Sequence, residues 1–240
     1  MMKTYFLALV FSASLIPAVS HSQLKLPKIL SKKSGSDVSE GEAGQGIKEA
    51  LSQGVANAVL NLNKTDGFFG SDVYKMFLPP DAQKVEKTLR SAGMGAQVDK
   101  AILSINRGAE DAVAFAKPIF VDAIKEMTIT DALNLLRGGK DAATQYFKEK
   151  TTAKLTAAFT APVQSSLEKV DATKYYGDIV TTYNKFPTTF KKVNPDLTSF
   201  VVGKAIDALF DQVAKEEAKI RANPLGQASA LLQKVFGSVK

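Results

Sequence analysis

Residues 98–127 read VDKAILSINRGAEDAVAFAKPIFVDAIKEM, and their spacing decides the fold class. Val98, Ile102, Ile105, Ala109, Ala112, Val113 and Ala116 recur at three- and four-residue steps, which puts them on one face of a helix. Pro118 has no N–H and its ring crowds the carbonyl four residues back, so a kink or break is expected there. Ile119, Phe120, Ala123, Ile124 and Met127 then carry the same apolar stripe onward.

The pattern extends in both directions. Upstream, Ser39 and Glu42 have capping-box spacing, and Ile47, Leu51, Val55, Ala58, Val59 and Leu62 mark an amphipathic helix of about five turns. Gly67-Phe68-Phe69-Gly70 interrupts it. Val73 to Leu78 reads as briefly extended before Pro79-Pro80, and a helix is expected from Asp81 to Ser91, stopping at Gly93. Downstream, Thr128 with Asp131 caps a short helix that ends at Gly138-Gly139. Asp141 to Lys150 and Thr152 to Phe159 read as helical, Pro162 as the start of another piece, and Tyr175 to Phe186 as a further helix. Asn194-Pro195 pairs an N-cap side chain with a proline at the first helical position. The helix after it bears Phe200, Val201, Ala205, Ile206, Leu209, Phe210 and Val213 and reaches Ala222. Leu225 to Phe236 forms the last helix, with Leu231, Leu232 and Val235 turned inward. With no second composition regime, residues 38–240 are expected to make a single-domain, all-α multi-helix bundle.

Two segments precede it. Residues 1–22, MMKTYFLALVFSASLIPAVSHS, join a positive Lys3 to an apolar run from Tyr5 to Ile16, then Pro17 and small residues. This reads as a cleaved secretory signal peptide, with cleavage after Ser20 or after Ser22. No apolar run reaches the roughly 18–20 residues that span a bilayer. No cysteine is available for lipid attachment, so the expected product is periplasmic or secreted and soluble. Residues 23–37, QLKLPKILSKKSGSD, form a short basic linker, whose Lys25, Lys28, Lys32 and Lys33 offer weak contact with an anionic membrane surface.

Composition excludes much chemistry. Of 240 residues none is cysteine or tryptophan, and the single histidine is His21, at the leader's edge. Thiol nucleophiles, disulfides, Ser–His–Asp triads and imidazole or thiolate metal sites are therefore not available to the folded body. The net charge of +7 is a tail property. Setting aside Lys3 and the four linker lysines leaves 26 of the 31 basic side chains against 24 acidic ones. A near-neutral body argues against nucleic acid as a partner.

What remains are carboxylates, lysines, arginines and tyrosines. Asn106 and Glu110, and Arg107 and Asp111, are four residues apart and meet on one helix face; so do Glu217 and Arg221 in the run Lys215 to Arg221. A third cluster holds Arg137, Gly138, Gly139, Asp141 and Tyr146. Glu110, Asp111, Asp131, Glu216 and Glu217 are the acids that could serve as acid and base on a glycosidic bond, provided two of them face each other across a cleft. They could also hold a hard cation through oxygen ligands. The plainer expectation is exposed ion pairs worth a few tenths of a kcal/mol each. Phe68, Phe69, Tyr74 and Tyr146, among aromatics near helix ends, with Asn106, Arg107, Arg137 and Arg221, are the candidates for lining a ligand site; the preferred expectation for the aromatics is that they seal helix ends against the core. No EF-hand loop, Walker motif or dinucleotide fingerprint occurs, and no cofactor or metal is expected.

A resemblance adds to this reading. Gly46-Ile47-Lys48-Glu49-Ala50-Leu51, Asp66-Gly67-Phe68-Phe69, Leu78-Pro79, Asn106 to Ala112, Ile119-Phe120, Ala123-Ile124 and Met127 resemble the exported bacterial domain-of-unknown-function family 4197. So do Asp131-Ala132 through Gly138-Gly139, Ala142 to Tyr146, Ala205 to Phe210, Glu216-Glu217, Ile220-Arg221, Asn223-Pro224 and Leu232 to Gly237. The resemblance spans roughly Gly46 to Gly237. It implies an exported, mostly helical protein with no assigned role and supplies no catalytic residue. The expected function is a non-enzymatic helical binding or interaction module for an apolar ligand, an envelope polymer or a protein. The alternatives are a carboxylate-dependent glycan hydrolase and a peripheral membrane-surface protein.

Overall fold

The structure is a computed structural model describing residues 39–91, 93–169, 171–185, 192–194 and 196–223. The expected signal peptide, the expected basic linker and the expected helix from Leu225 to Phe236 lie outside the described residues. Eight α-helices and no β-strand occur among those described: α1 Glu40–Asn63, α2 Gln83–Ser91, α3 Gly95–Val113, α4 Ala116–Glu126, α5 Ile129–Arg137, α6 Ala142–Glu168, α7 Ala172–Lys185 and α8 Leu197–Ala222.

The caps read from sequence form as expected at α1 and α5. The Ser39 and Thr128 hydroxyls accept the N–H of Glu42 and Asp131, and each carboxylate accepts the N–H of its cap residue in return. The break before α4 falls at Ala114–Phe115, and Pro118 sits in the first turn beyond it. Ala114 is the residue whose carbonyl the proline ring would crowd, so the helix stops there and restarts.

Three expectations change. Pro162 opens no new helix but lies inside a continuous α6. The missing backbone hydrogen bond and the crowding of the Ala158 carbonyl together cost about 3 kcal/mol. Leu155, Phe159, Val163 and Leu167, a single stripe running through the proline, are all fully buried, and at about 2 kcal/mol for each side chain their burial outweighs that loss. Helix α8 begins at Leu197, capped by Asp196, whose Oδ1 accepts the Ser199 N–H at 2.9 Å. Asn194 instead accepts the Asp196 N–H and closes the preceding turn. Finally, Val73 and Tyr74 lie in a turn and residues 75–77 are irregular, with no strand partner.

Helices α3, α6 and α8 pack on one another at the centre; α1 lies against α8, α5, α4 and α3, and α7 against α6, α2, α3 and α8. Phe120 anchors the core, edge-on to Phe147 at 5.2 Å and to Phe210 at 6.1 Å between ring centroids. Small residues set the closest approaches. A Cβ at Gly44 would sit 2.7 Å from Ile129 Cδ1, and one at Gly54 3.2 Å from Ile220 Cδ1, so glycine lets α5 and α8 close on α1.

Candidate functional site

Residues 64–79, between α1 and the short 3-10 turn Pro80–Ala82, form a long irregular loop. Such a stretch needs partners for its backbone, and α3 supplies them. Asn106, fully buried, takes the Met76 N–H on Oδ1 at 2.8 Å and donates Nδ2–H to the Met76 carbonyl at 2.9 Å. A side-chain amide thus takes the place of a neighbouring strand. One turn on, Glu110 Oε1 accepts the N–H groups of Phe68 and Phe69 at 3.1 and 3.2 Å, and its Oε2 accepts Arg107 Nη1–H at 2.6 Å. Arg107 also donates to Asp66 Oδ1 at 2.8 Å. Asp66 has φ 65°, a left-handed conformation that aspartate tolerates better than most residues.

Phe68 is fully buried beneath the loop, 6.3 Å from the Tyr74 ring, and the Lys75 ammonium lies 4.1 Å from the Phe69 ring centroid. Tyr74 ties the far end to α8. Its hydroxyl donates to Asp211 Oδ2 at 2.6 Å and accepts from Lys215 Nζ at 2.6 Å, while Lys215 also reaches Asp211 at 2.9 Å. Burial, then the Asp211 hydrogen bond, push the Tyr74 phenol up from its ordinary value. The Tyr74 hydrogen bond, then Lys215, hold Asp211 below its own.

Held this way, the loop and α8 enclose an open groove of about 490 Å³. Val73, Tyr74, Met76, Phe77 and Leu78 form one wall, with Val73 71% and Phe77 55% exposed. Phe200, Lys204, Asp207 and Asp211 form the other, one stripe of α8.

A second polar centre lies at the opposite end of α8. Glu217 accepts the N–H groups of Ala143 and Thr144 at 3.0 and 2.9 Å, plus the Thr144 hydroxyl at 2.7 Å. It therefore caps α6 from another helix. Arg221 donates Nε–H and Nη2–H to Glu217 Oε1 and turns Nη2 toward the Leu135 carbonyl at 2.9 Å, closing the C-terminal end of α5. Above the pair, Ile47, Leu51, Leu135, Leu136 and Ile220 line an apolar recess of about 50 Å³.

The sequence candidates thus fall into separate places. Phe68, Phe69, Tyr74, Asn106, Arg107 and Glu110 converge on the loop, whereas Glu217 and Arg221 belong to the helix-end clamp. Glu216 accepts from Asn57 at 3.2 Å and Lys219 at 2.6 Å, bridging α1 and α8. Asp131 serves its cap, with the Thr128 hydroxyl and then its backbone N–H holding the carboxyl below its ordinary value. Tyr146 is half-buried against Phe147, and Arg137 and Asp111 are exposed. Arg107 pairs with Glu110 and Asp66, not through the spacing to Asp111. Glu110, Glu216 and Glu217 are 3, 3 and 6% exposed, so the expectation of exposed ion pairs fails for them. Backbone N–H groups at buried Phe68 and half-buried Phe69, and at the buried start of α6, draw two of the carboxylates inward. Both oxygens of each of the three glutamates accept hydrogen bonds. Among the described residues no three acids gather as a metal site would require.

Val73, Phe200, Asp207, Asp211 and Lys215 line or hold the groove but are not among the site candidates read from sequence. The four-residue spacing of Asp211 and Lys215 was a legible signal, but nothing linked them to Tyr74, 137 positions away. No described helix is long and apolar enough to cross a membrane. No curated protein and no solved structure matches the chain. Residues 37–237 match DUF4197, described as a protein of unknown function, and the chain belongs to that family.

Proposed function

We propose that this chain is an exported bacterial envelope protein that acts as a non-enzymatic binding module, gripping an apolar group in the groove between the 64–79 loop and α8. One observation carries the reading: a loop fastened by buried side chains holds Val73 and Phe77 in solvent. A long loop with its own buried supports is a frequent carrier of function. Large apolar side chains on a fixed support are ready to bind, because little ordering remains to oppose association. That Glu110, Glu216 and Glu217 already hold backbone groups, an amide and cations supports binding over hydrolysis. Export rests on the leader read from residues 1–22.

The neutral dye Nile red tests the groove. Its emission should rise and saturate with the folded protein, and Phe77→Asp, at an exposed position, should weaken the response at unchanged urea stability. A dye response that Phe77→Asp leaves untouched would remove the groove from consideration.

A further inference from the structure

The groove's charges indicate what kind of partner fits it; the argument rests on the binding reading above. Two lysines and two aspartates line it. The Lys75 ammonium sits over the Phe69 ring at 4.1 Å and 5.8 Å from the Phe77 ring. Asp211 is engaged by Tyr74 and Lys215. The remaining pair is loose: Lys204 Nζ lies 3.9 Å from Asp207 Oδ2, and the side chains are 55 and 76% exposed. This exposed pair therefore presents a donor and an acceptor, close together and loosely held, that between them carry no net charge. A charged ligand would gain from one partner and lose to the other. A peptide backbone offers a carbonyl and an N–H in alternation and can answer both.

The walls favour peptide over sugar. Exposed Val73 and Phe77 and half-buried Phe200 are aliphatic or phenyl surface suited to an apolar side chain, over a floor of buried Met76 and Leu78.

We infer that the groove takes an extended peptide segment, uncharged where it touches, with one large apolar side chain seated against Phe77 and its main chain bonded to Lys204 and Asp207.

The absence of tryptophan makes the test direct. A blocked neutral peptide, Ac-GSLWVSG-NH2, is titrated with the leader-processed protein while the peptide's own indole emission is followed. Its emission should shift to the blue and saturate. Affinity should change less than about twofold between low and high salt, since no net charge is neutralised. Phe77→Asp should weaken binding by roughly tenfold or more, as for a central apolar anchor. The double substitution Lys204→Ala with Asp207→Ala, both on the surface, should weaken it about threefold to tenfold. Tighter binding of versions flanked by lysine or by aspartate would overturn the neutral-peptide inference, as would chitotetraose displacing Nile red while the peptide stays inert. Nile red binding at Phe77 without any peptide binding would defeat this inference alone; failure of both would defeat the proposed function with it.

Discussion

Replacing Glu217 by alanine should be the most damaging single change to an acidic side chain in this molecule. The carboxylate, 6% exposed, takes two backbone N–H groups of the first turn of α6, the Thr144 hydroxyl and two N–H groups of Arg221. Loss of the helix cap alone costs about 1–2 kcal/mol. Breaking a buried pair leaves an uncompensated charge, and the total for such a change is about 3–5 kcal/mol. Arg221 keeps its carbonyl partners and its side chain is 27% exposed, which argues for the lower half of that range. Glu216, its neighbour, is equally buried but serves one amide and a lysine whose side chain is 56% exposed. Glu216→Ala should therefore cost about 1–2 kcal/mol. Urea unfolding of both variants at neutral pH, followed by helical circular dichroism, compares them directly. Thermal midpoints should drop by roughly 6–16 °C for Glu217→Ala, at about 2–4 °C per kcal/mol for a chain this long. A cost for Glu217→Ala no greater than that for Glu216→Ala would refute the cross-helix cap as a stabilising device.

Three further outcomes are expected. Gly203→Ala should stabilise by about 0.5–1 kcal/mol, because it improves an exposed helix position with open space around it. Gly67→Ala, whose Cβ would lie 2.2 Å from the Leu62 carbonyl oxygen, should destabilise by about 2 kcal/mol or more; equal urea midpoints for the two would contradict this contrast. The Tyr74 tie should act only within a pH window. Asp211 is lowered from 3.8, so its contribution is present above that value and fades as pH falls through the lower folded value. Tyr74 is raised from 10.0 and Lys215 from 10.5, so theirs are present below those values and fade as pH rises through the higher folded ones. The stability gap between wild type and Tyr74→Phe should be widest between these limits, and a gap independent of pH would count against the tie. Expression with the leader should yield a mature protein beginning at His21 or Gln23, read by intact mass; retention of residues 1–22 in an exporting bacterium would remove the export reading.

Helix positions were legible because they depend on local periodicity and caps. Ser39 with Glu42 and Thr128 with Asp131 do locally what their spacing says. Where the reading failed, a distant contact overrode a local rule. Pro162 should break a helix, yet Phe159 and Val163 on either side of it are fully buried against neighbouring helices. Asn194 has the chemistry of a cap, but Asp196 takes that place two residues later. Residues 73–78 carry the composition of a strand, and the bundle gives them Asn106 as partner in place of one.

The same logic separates the acids that could be found from the site that could not. Arg107, Glu110, Glu217 and Arg221 stood out as charges on amphipathic helices, and spacing told which side chains could meet. It could not tell that the carboxylates face inward. That depends on where unsatisfied N–H groups lie, at Phe68–Phe69 and at Ala143–Thr144, 42 and 74 residues away in sequence. Once inside, a carboxylate must keep its hydrogen bonds or impose the cost of a bare buried charge. These glutamates are accordingly fixed structural parts, and the reach of Glu110 and Asn106 into the loop keeps Phe77 at the surface. Remove the buried amide of Asn106, and Met76 loses partners on both its N–H and its carbonyl; the loop should then fold its apolar side chains away, and the groove would close before any ligand arrived.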